Sequence, residues 1–232
     1  MGTPLVLLPG LLNDARLWRH QVEALADIAD PLVPDLTQDE SLAALARRVL
    51  DAAPPRFALA GLSMGGYLAF EILRQSPERV ERLALLDTSA RPDLPEQSER
   101  RKTLIGLALG GRFAEVPPAL LPAMVAPGHQ TDPARGGLFL EMAEAVGAEG
   151  FARQQTAIMN RPDSRPVLLG IAVPTVVVCG RQDSLTTPET MREIAEGIPR
   201  AAFVLIEDSG HLSPVEQPHA VSAVLRYWLQ AR

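Results

Sequence analysis

Short, unbroken apolar runs alternate along the chain with longer segments whose apolar residues recur every three or four positions. Pro4-Leu5-Val6-Leu7-Leu8, Phe57-Ala58-Leu59-Ala60, Leu83-Ala84-Leu85-Leu86 (within a strand expected over Val80 to Leu86), Pro174-Thr175-Val176-Val177-Val178-Cys179 and Ala202-Phe203-Val204-Leu205-Ile206 show no polar alternation. Strands of that kind are covered on both faces, as in a parallel sheet. Leu32-Val33 is a shorter strand candidate. Between the strands, Leu17, Trp18, Val22, Leu25 and Ala26 repeat at helical spacing, with Asn13 or Asp14 placed to cap them. Leu42, Leu45, Val49 and Leu50 form a second stripe behind Ser41. Pro188 opens a helix that Gly197 ends, and Glu216 or Gln217 can cap the last, which buries Val221, Val224, Leu225 and Trp228. The alternation predicts an α/β fold, a doubly wound and mostly parallel sheet that binds ligands beyond the carboxyl ends of its strands.

Residues 88–170 break that rhythm. They contain no good strand, and 96–109, 118–125, 137–146 and 150–160 read as helices interrupted by Gly and Pro. The expected division is a core of 1–87 and 171–232 with a helical cap, or lid, of 88–170 inserted between two strands. Most apolar side chains of the insertion, Leu104, Leu107 and Phe151 among them, are expected on inner helix faces. Leu12, Phe113, Leu138, Phe139 and Met142 are the candidates for lining a substrate pocket, which the scarcity of aromatics (4%) suggests is modest and aliphatic.

Composition then narrows the class. A chain of 232 residues, 47% hydrophobic and 22% charged, suits one soluble domain with an insertion. A net charge of -6 gives no reason to expect nucleic acid or an anionic membrane as partner. No apolar run approaches the roughly 18 residues of a membrane span. The first residues lack the basic region and cleavage site of a signal peptide and read as a strand. Cys179 is the single cysteine, so a reducing, cytoplasmic setting is the simplest. The expected assembly is a monomer or homodimer.

The candidate chemistry begins at Gly61-Leu62-Ser63-Met64-Gly65, a match to G-x-S-x-G with a strand before it and a helix after it. That context puts Ser63 on a sharp strand-to-helix turn, with small residues keeping strand and helix apart. Two later strands deliver Asp183 and His211 to loops at the same sheet end. A serine hydroxyl is a weak nucleophile and needs a base, and the base needs a partner that fixes its tautomer. His211 is the expected base and Asp183 the expected acid. His20 and His219 lie on or near helices and His129 lies in the insertion. Asp87, at the end of the strand before the insertion, competes with Asp183, and Asp208 reads as part of a turn. An oxyanion would need backbone donors, from Met64 and from Leu11, with Leu12 next in order. Arg161 and Asp163 read first as a helix end and its cap. No metal motif and no G-x-G-x-x-G or P-loop is present, so neither metal nor cofactor is expected.

These residues resemble the α/β-hydrolase superfamily, and most closely its small esterase-type members with a helical cap. The likeness runs through the LLPG loop, GLSMGG, VVVCGRQD and DSGHLSPVEQP. It implies a Ser63–His211–Asp183 triad, an oxyanion hole from Leu11 and Met64, and hydrolysis of a small carboxylic ester through an acyl-enzyme. A thioesterase, a C–C bond hydrolase or lyase, and a non-catalytic ligand-binding protein of the same fold are the alternatives. One departure stands out. Many relatives carry His-Gly after the first strand, and Pro9-Gly10 here removes a side chain that could brace the oxyanion loop.

Overall fold

The computed structural model describes residues 2–231; Met1 and Arg232, the ends of the expected core, lie outside them. Six strands, β1 (Thr3–Leu8), β2 (Ala29–Leu32), β3 (Phe57–Leu62), β4 (Val80–Leu86), β5 (Thr175–Gly180) and β6 (Ala202–Ile206), form one sheet. Every neighbouring pair is parallel, in the order β2-β1-β3-β4-β5-β6. All residues of β3 and β5 are buried, which explains why Thr175, whose hydroxyl donates to Val173 O, is their one hydroxyl side chain. The chain leaves β1 toward one edge and returns past it to β3, so the strand order reverses between β1 and β3. Right-handed crossovers then place α1 (Arg19–Ala24) on one face and α2 (Leu42–Ala52) with α3 (Met64–Gln75) on the other. The crevice at such a reversal is where this architecture binds ligands.

Between β4 and β5 lie α4 (Pro95–Leu107), α5 (Val116–Met124), α6 (Leu138–Met159) and the short α7 (Arg165–Leu168). The two helices expected over 137–160 are one run that breaks at Gly147, whose φ of 69° only glycine adopts without strain. By length and composition alone, Pro95–Met124 could cross a membrane. It is not one helix, because Gly111 at φ 83° separates α4 from α5, and the Arg112–Glu115 ion pair lies between them.

After β5 come α8 (Pro188–Gly197), α9 (Ser213–Glu216) and α10 (Pro218–Gln230), with α10 packed on α1. Ser41 caps α2 by accepting from Ala44 N–H, and Asp14 accepts from Arg16 N–H at the first helical turn. The expected cap of α10 is absent: Gln217 makes no side-chain cap bond, and Glu216 turns into the interior.

Candidate active site

β3 ends at Leu62 and α3 begins at Met64, leaving Ser63 alone in the turn. Its φ of 53° and ψ of -113° fall outside the regions an L-residue ordinarily occupies. Holding it there costs about 1–3 kcal/mol, so the surroundings must impose it. Ser63 N–H donates to Leu86 O at 3.0 Å, and Thr88 Oγ1 donates to Ser63 O at 2.7 Å. Gly61 and Gly65 permit the close approach. A Cβ on Gly61 would fall 2.3 Å from Gly65 O, and one on Gly65 would fall 2.2 Å from Leu8 O. Gly65→Ala should therefore lower stability by about 3 kcal/mol and Tm by roughly 6–12 °C, read by thermal unfolding.

The turn brings Ser63 Oγ to 2.8 Å from His211 Nε2, and His211 Nδ1 lies 2.8 Å from Asp183 Oδ2. With its proton on Nδ1, the ring donates to Asp183 and presents a lone pair to the serine hydroxyl. Asp183 is held in turn: Oδ1 accepts from Leu185 and Thr186 N–H, and Oδ2 accepts from Thr186 Oγ1 at 2.6 Å. All three candidates are nearly closed to solvent, Ser63 at 8%, Asp183 at 3% and His211 at 2% exposure. Burial of the imidazole opposes its charge, but the Asp183 carboxylate and its hydrogen bond outweigh that, and the His211 pKa lies above its ordinary 6.5. Burial also opposes the Asp183 charge, and the facing His211 together with Thr186 holds its pKa below the ordinary range.

Asp87, the rival acid, makes no hydrogen bond to His211. Its Oδ1 accepts from Gly180 N–H at 2.7 Å and its Oδ2 shares a short hydrogen bond with Ser213 Oγ. Complete burial, and then the charge on Asp183, push its pKa well above the carboxylate range. Ligand atoms of Asp87, Cys179 and Asp183 lie within 4.8 Å of one another. Two carboxyls that close do not both ionise readily, so Asp87 is the neutral member and Asp183 the charged one. Burial and then the same two carboxyls push the Cys179 thiol up as well.

The other histidines are placed elsewhere. His20 Nδ1 lies 2.9 Å from Ser222 Oγ, with the His219 ring edge-on to it. His129 Nδ1 lies 2.9 Å from Glu216 Oε2. Asp208 is a turn residue at φ 52°.

Two residues that the sequence did not mark for this role hold the arrangement, Glu216, expected as a helix cap, and Gln154. Glu216, fully buried, accepts at Oε1 from Gly210 and Leu212 N–H, the amides on either side of His211. Its Oε2 accepts from Ala126 N–H in the insertion. Gln154, on α6, accepts at Oε1 from Leu12 N–H at 2.9 Å. Leu12 sits at φ 59° in the loop after β1, its side chain in the core. Gln154 thus braces the loop where Pro9 offers no hydrogen-bonding side chain, and it occupies the Leu12 donor. The Leu11 and Met64 N–H groups meet no acceptor among the described residues. The expected signal for Gln154 is only a polar residue on an apolar helix face. Gln154→Leu should leave Leu12 N–H buried and unpaired, costing about 1–3 kcal/mol of stability. The shifted loop should also lower kcat by roughly tenfold, with KM little changed. Gln154→Glu keeps the acceptor and should restore most of kcat, as steady-state kinetics will show.

A cavity of about 450 Å³ opens above Ser63 and His211, within the size range of small-molecule sites. Leu11 and Tyr67 form its floor, and Leu104, Leu120, Met124 and Ile158 of the inserted helices roof it. The five pocket residues expected from the sequence do not line it. Phe139 and Met142 are fully buried in the core, and Leu12 joins them through its turn. Phe113 packs on Phe151, with ring centroids 5.9 Å apart. Leu138 borders a separate pocket beside Arg16 and Pro214. Apolar periodicity identifies the inward face of a helix, and does not say whether that face meets core or cavity. Nor is the lining only aliphatic. Arg161, expected at a helix end, is buried in the cavity wall, and Asp163, expected as a cap, accepts from Arg165 N–H in the turn before α7, whose N-cap position is Ser164.

A parallel α/β sheet with a serine elbow at its reversal point defines the class, a hydrolase of the α/β fold. The chain belongs to the alpha/beta hydrolase fold family, whose model matches residues 3–218. Among solved structures it is similar to a thermophilic esterase from Thermogutta terrifontis with malate bound, at TM-score 0.92 and 32% identity over 99% of this chain and 90% of that one. A RutD protein of Azorhizobium caulinodans, named for carbamate hydrolysis, is 29% identical over 97% of this chain and 90% of its own. The pimeloyl-[acyl-carrier protein] methyl ester esterase of Aeromonas salmonicida is 26% identical over 98% and 96%.

Proposed function

We propose that the protein is a serine hydrolase that cleaves small carboxylic esters through an acyl-enzyme. The observation that carries this reading is the unbroken line from Asp183 through His211 to Ser63, both links 2.8 Å long. Ser63 Oγ attacks the acyl carbon while His211 Nε2 takes its proton. The carbonyl oxygen becomes an oxyanion held by Leu11 N–H, from the loop after β1, and Met64 N–H, at the start of α3. Collapse of the adduct breaks the ester bond, and His211 protonates the departing alkoxide. Water then attacks the acyl-serine, His211 takes its proton, and Ser63 leaves with that proton as the acid is released. Only water is consumed, so the steps ask for neither metal nor cofactor. Residues 88–170 act as the cap that sets which esters reach Ser63, and the reduced cytoplasm is the setting that suits a lone, buried Cys179.

The names of the relatives support ester hydrolysis in two cases and carbamate hydrolysis in one. A panel of p-nitrophenyl esters of graded acyl length, acyl thioesters, a carbamate and a vinylogous diketone will separate the readings. Short-chain esters should give the highest kcat/KM, and a fluorophosphonate probe should label the folded protein. Tight binding of an ester without turnover or labelling would overturn the catalytic reading.

A further inference from the structure

The cavity wall carries charge of one sign. Arg91, Arg100, Arg101, Arg161 and Arg165 line it, and no Asp or Glu does, in a chain that holds 28 acidic and 22 basic residues. Arg91 pairs with Glu193 and Arg165 with Asp163, each arginine half-exposed and screened by water. Arg100 makes no ion pair among the described residues.

The inner part of the wall is buried. Asp93, its side chain 1% exposed, bonds both Arg101 Nε at 2.7 Å and Arg161 Nη1. Arg101 Nη1 donates to Gln155 Oε1 at 2.6 Å. Arg161, 6% exposed, also donates from Nε to Arg91 O at 2.9 Å and from Nη1 to Ile158 O at 3.0 Å. Its Nη2 has no acceptor among the described residues. Two guanidiniums share one carboxylate, so this cluster carries a net positive charge of one and an unmatched donor. Its place relative to the nucleophile is set by Tyr67. The Arg161 guanidinium carbon stacks 4.4 Å from the Tyr67 ring centroid. Tyr67, on α3, donates its N–H to Ser63 O at 3.2 Å, and Ser63, Tyr67 and Arg161 line the same cavity.

We propose that the substrate is an ester bearing a free carboxylate, and that Arg161 binds that carboxylate through Nη2. This rests on the ester-hydrolase reading and names its substrate class. A neutral ester would cover the wall and leave a buried cationic donor without an acceptor, a large desolvation loss. A carboxylate supplies the acceptor in the planar geometry guanidinium prefers. It also matches the single surplus charge of the cluster. The exposed arginines at the rim add a field that concentrates anions at the entrance.

The test uses p-nitrophenyl acetate hydrolysis by the whole protein as readout. Monomethyl adipate and methyl hexanoate, six-carbon acyl esters that differ in a terminal carboxylate, compete with it. The inhibition constant should be about ten- to a hundredfold lower for monomethyl adipate. In Arg161→Gln the ratio of the two constants should fall to near one. In Arg161→Lys, which keeps the charge without the Nη2 donor fixed in the guanidinium plane, the ratio should fall several-fold. A ratio does not depend on the fraction of folded protein, so a merely structural role would leave it unmoved. Equal constants in the wild type, or a ratio unchanged in both variants, overturns the carboxylate assignment alone. Absence of both p-nitrophenyl acetate turnover and fluorophosphonate labelling overturns the hydrolase reading beneath it.

Discussion

Replacing Ser63 by alanine is expected to lower kcat on the best ester of the panel by on the order of a millionfold and to abolish fluorophosphonate labelling. The size follows from the site acting as a unit. Without Oγ there is no nucleophile, no proton for His211 to take and no acyl-enzyme. What remains is whatever the oxyanion donors and the cavity do for a water attack. The fold should survive, because Ser63 Oγ bonds only His211 Nε2, whereas its backbone is held by Leu86 and Thr88. Alanine must still adopt φ near 53°, so a modest stability loss is expected, read as a small drop in Tm. Probe labelling of an unaltered protein followed by full retention in Ser63→Ala would place the nucleophile elsewhere.

Asp183→Asn is the second large effect, a loss of about ten-thousandfold in kcat/KM, since an amide presents the wrong partner to His211 Nδ1. The pH profile gives the sign. His211 must be neutral to act as base, so wild-type activity should climb with pH through a limb above 6.5, where Asp183 places it. In Asp183→Asn burial is no longer outweighed, and the limb should move to lower pH. The stability linkage runs the other way for each partner. His211 contributes fully below 6.5 and less as pH rises through its raised value. Asp183 contributes above the ordinary carboxylate value and less as pH falls through its lowered one. Asp87→Asn is the contrast. An amide mimics the neutral acid, accepting from Gly180 N–H and donating to Ser213 Oγ, so activity should change a few-fold at most. The raised Asp87 pKa means that wild-type stability falls as pH rises from the ordinary carboxylate value through the raised one. Asp87→Asn should remove that decline, measurable by urea unfolding across pH. A ten-thousandfold loss in Asp87→Asn with Asp183→Asn active would exchange their roles.

Strand positions were legible because unbroken apolar runs have few other uses: β4 and β6 span the residues the pattern marks, and β1, β3 and β5 differ at their ends by one or two. The weak run at Leu32-Val33 sits at the edge of the sheet, and there the paired strand is instead Ala29–Leu32, which includes a proline. Ser63, Asp183 and His211 could be placed because each directly follows a strand, and a parallel sheet sends all strand ends the same way. Glu216, Gln154 and Arg161 could not. Each reaches a partner more than 50 residues away in sequence, a backbone amide or a carboxylate that no local spacing reveals. The expected role of Glu216 as a helix cap is what a local reading gives such a residue. The pocket lining failed for a related reason, since helix phase is local while the choice between core and cavity depends on a neighbouring element.

Gln154 and Glu216 carry a further consequence. One ties α6 to the loop after β1, and the other ties the loop around His211 to Ala126, between α5 and α6. The inserted helices are therefore part of the framework that holds the loop after β1 and the loop around His211, and not a detachable accessory. Grafting them alone onto another member of the family would not transplant selectivity cleanly. The recipient would also need a glutamine facing its first loop and a buried glutamate after its histidine, so insertion and framework are constrained to diverge together.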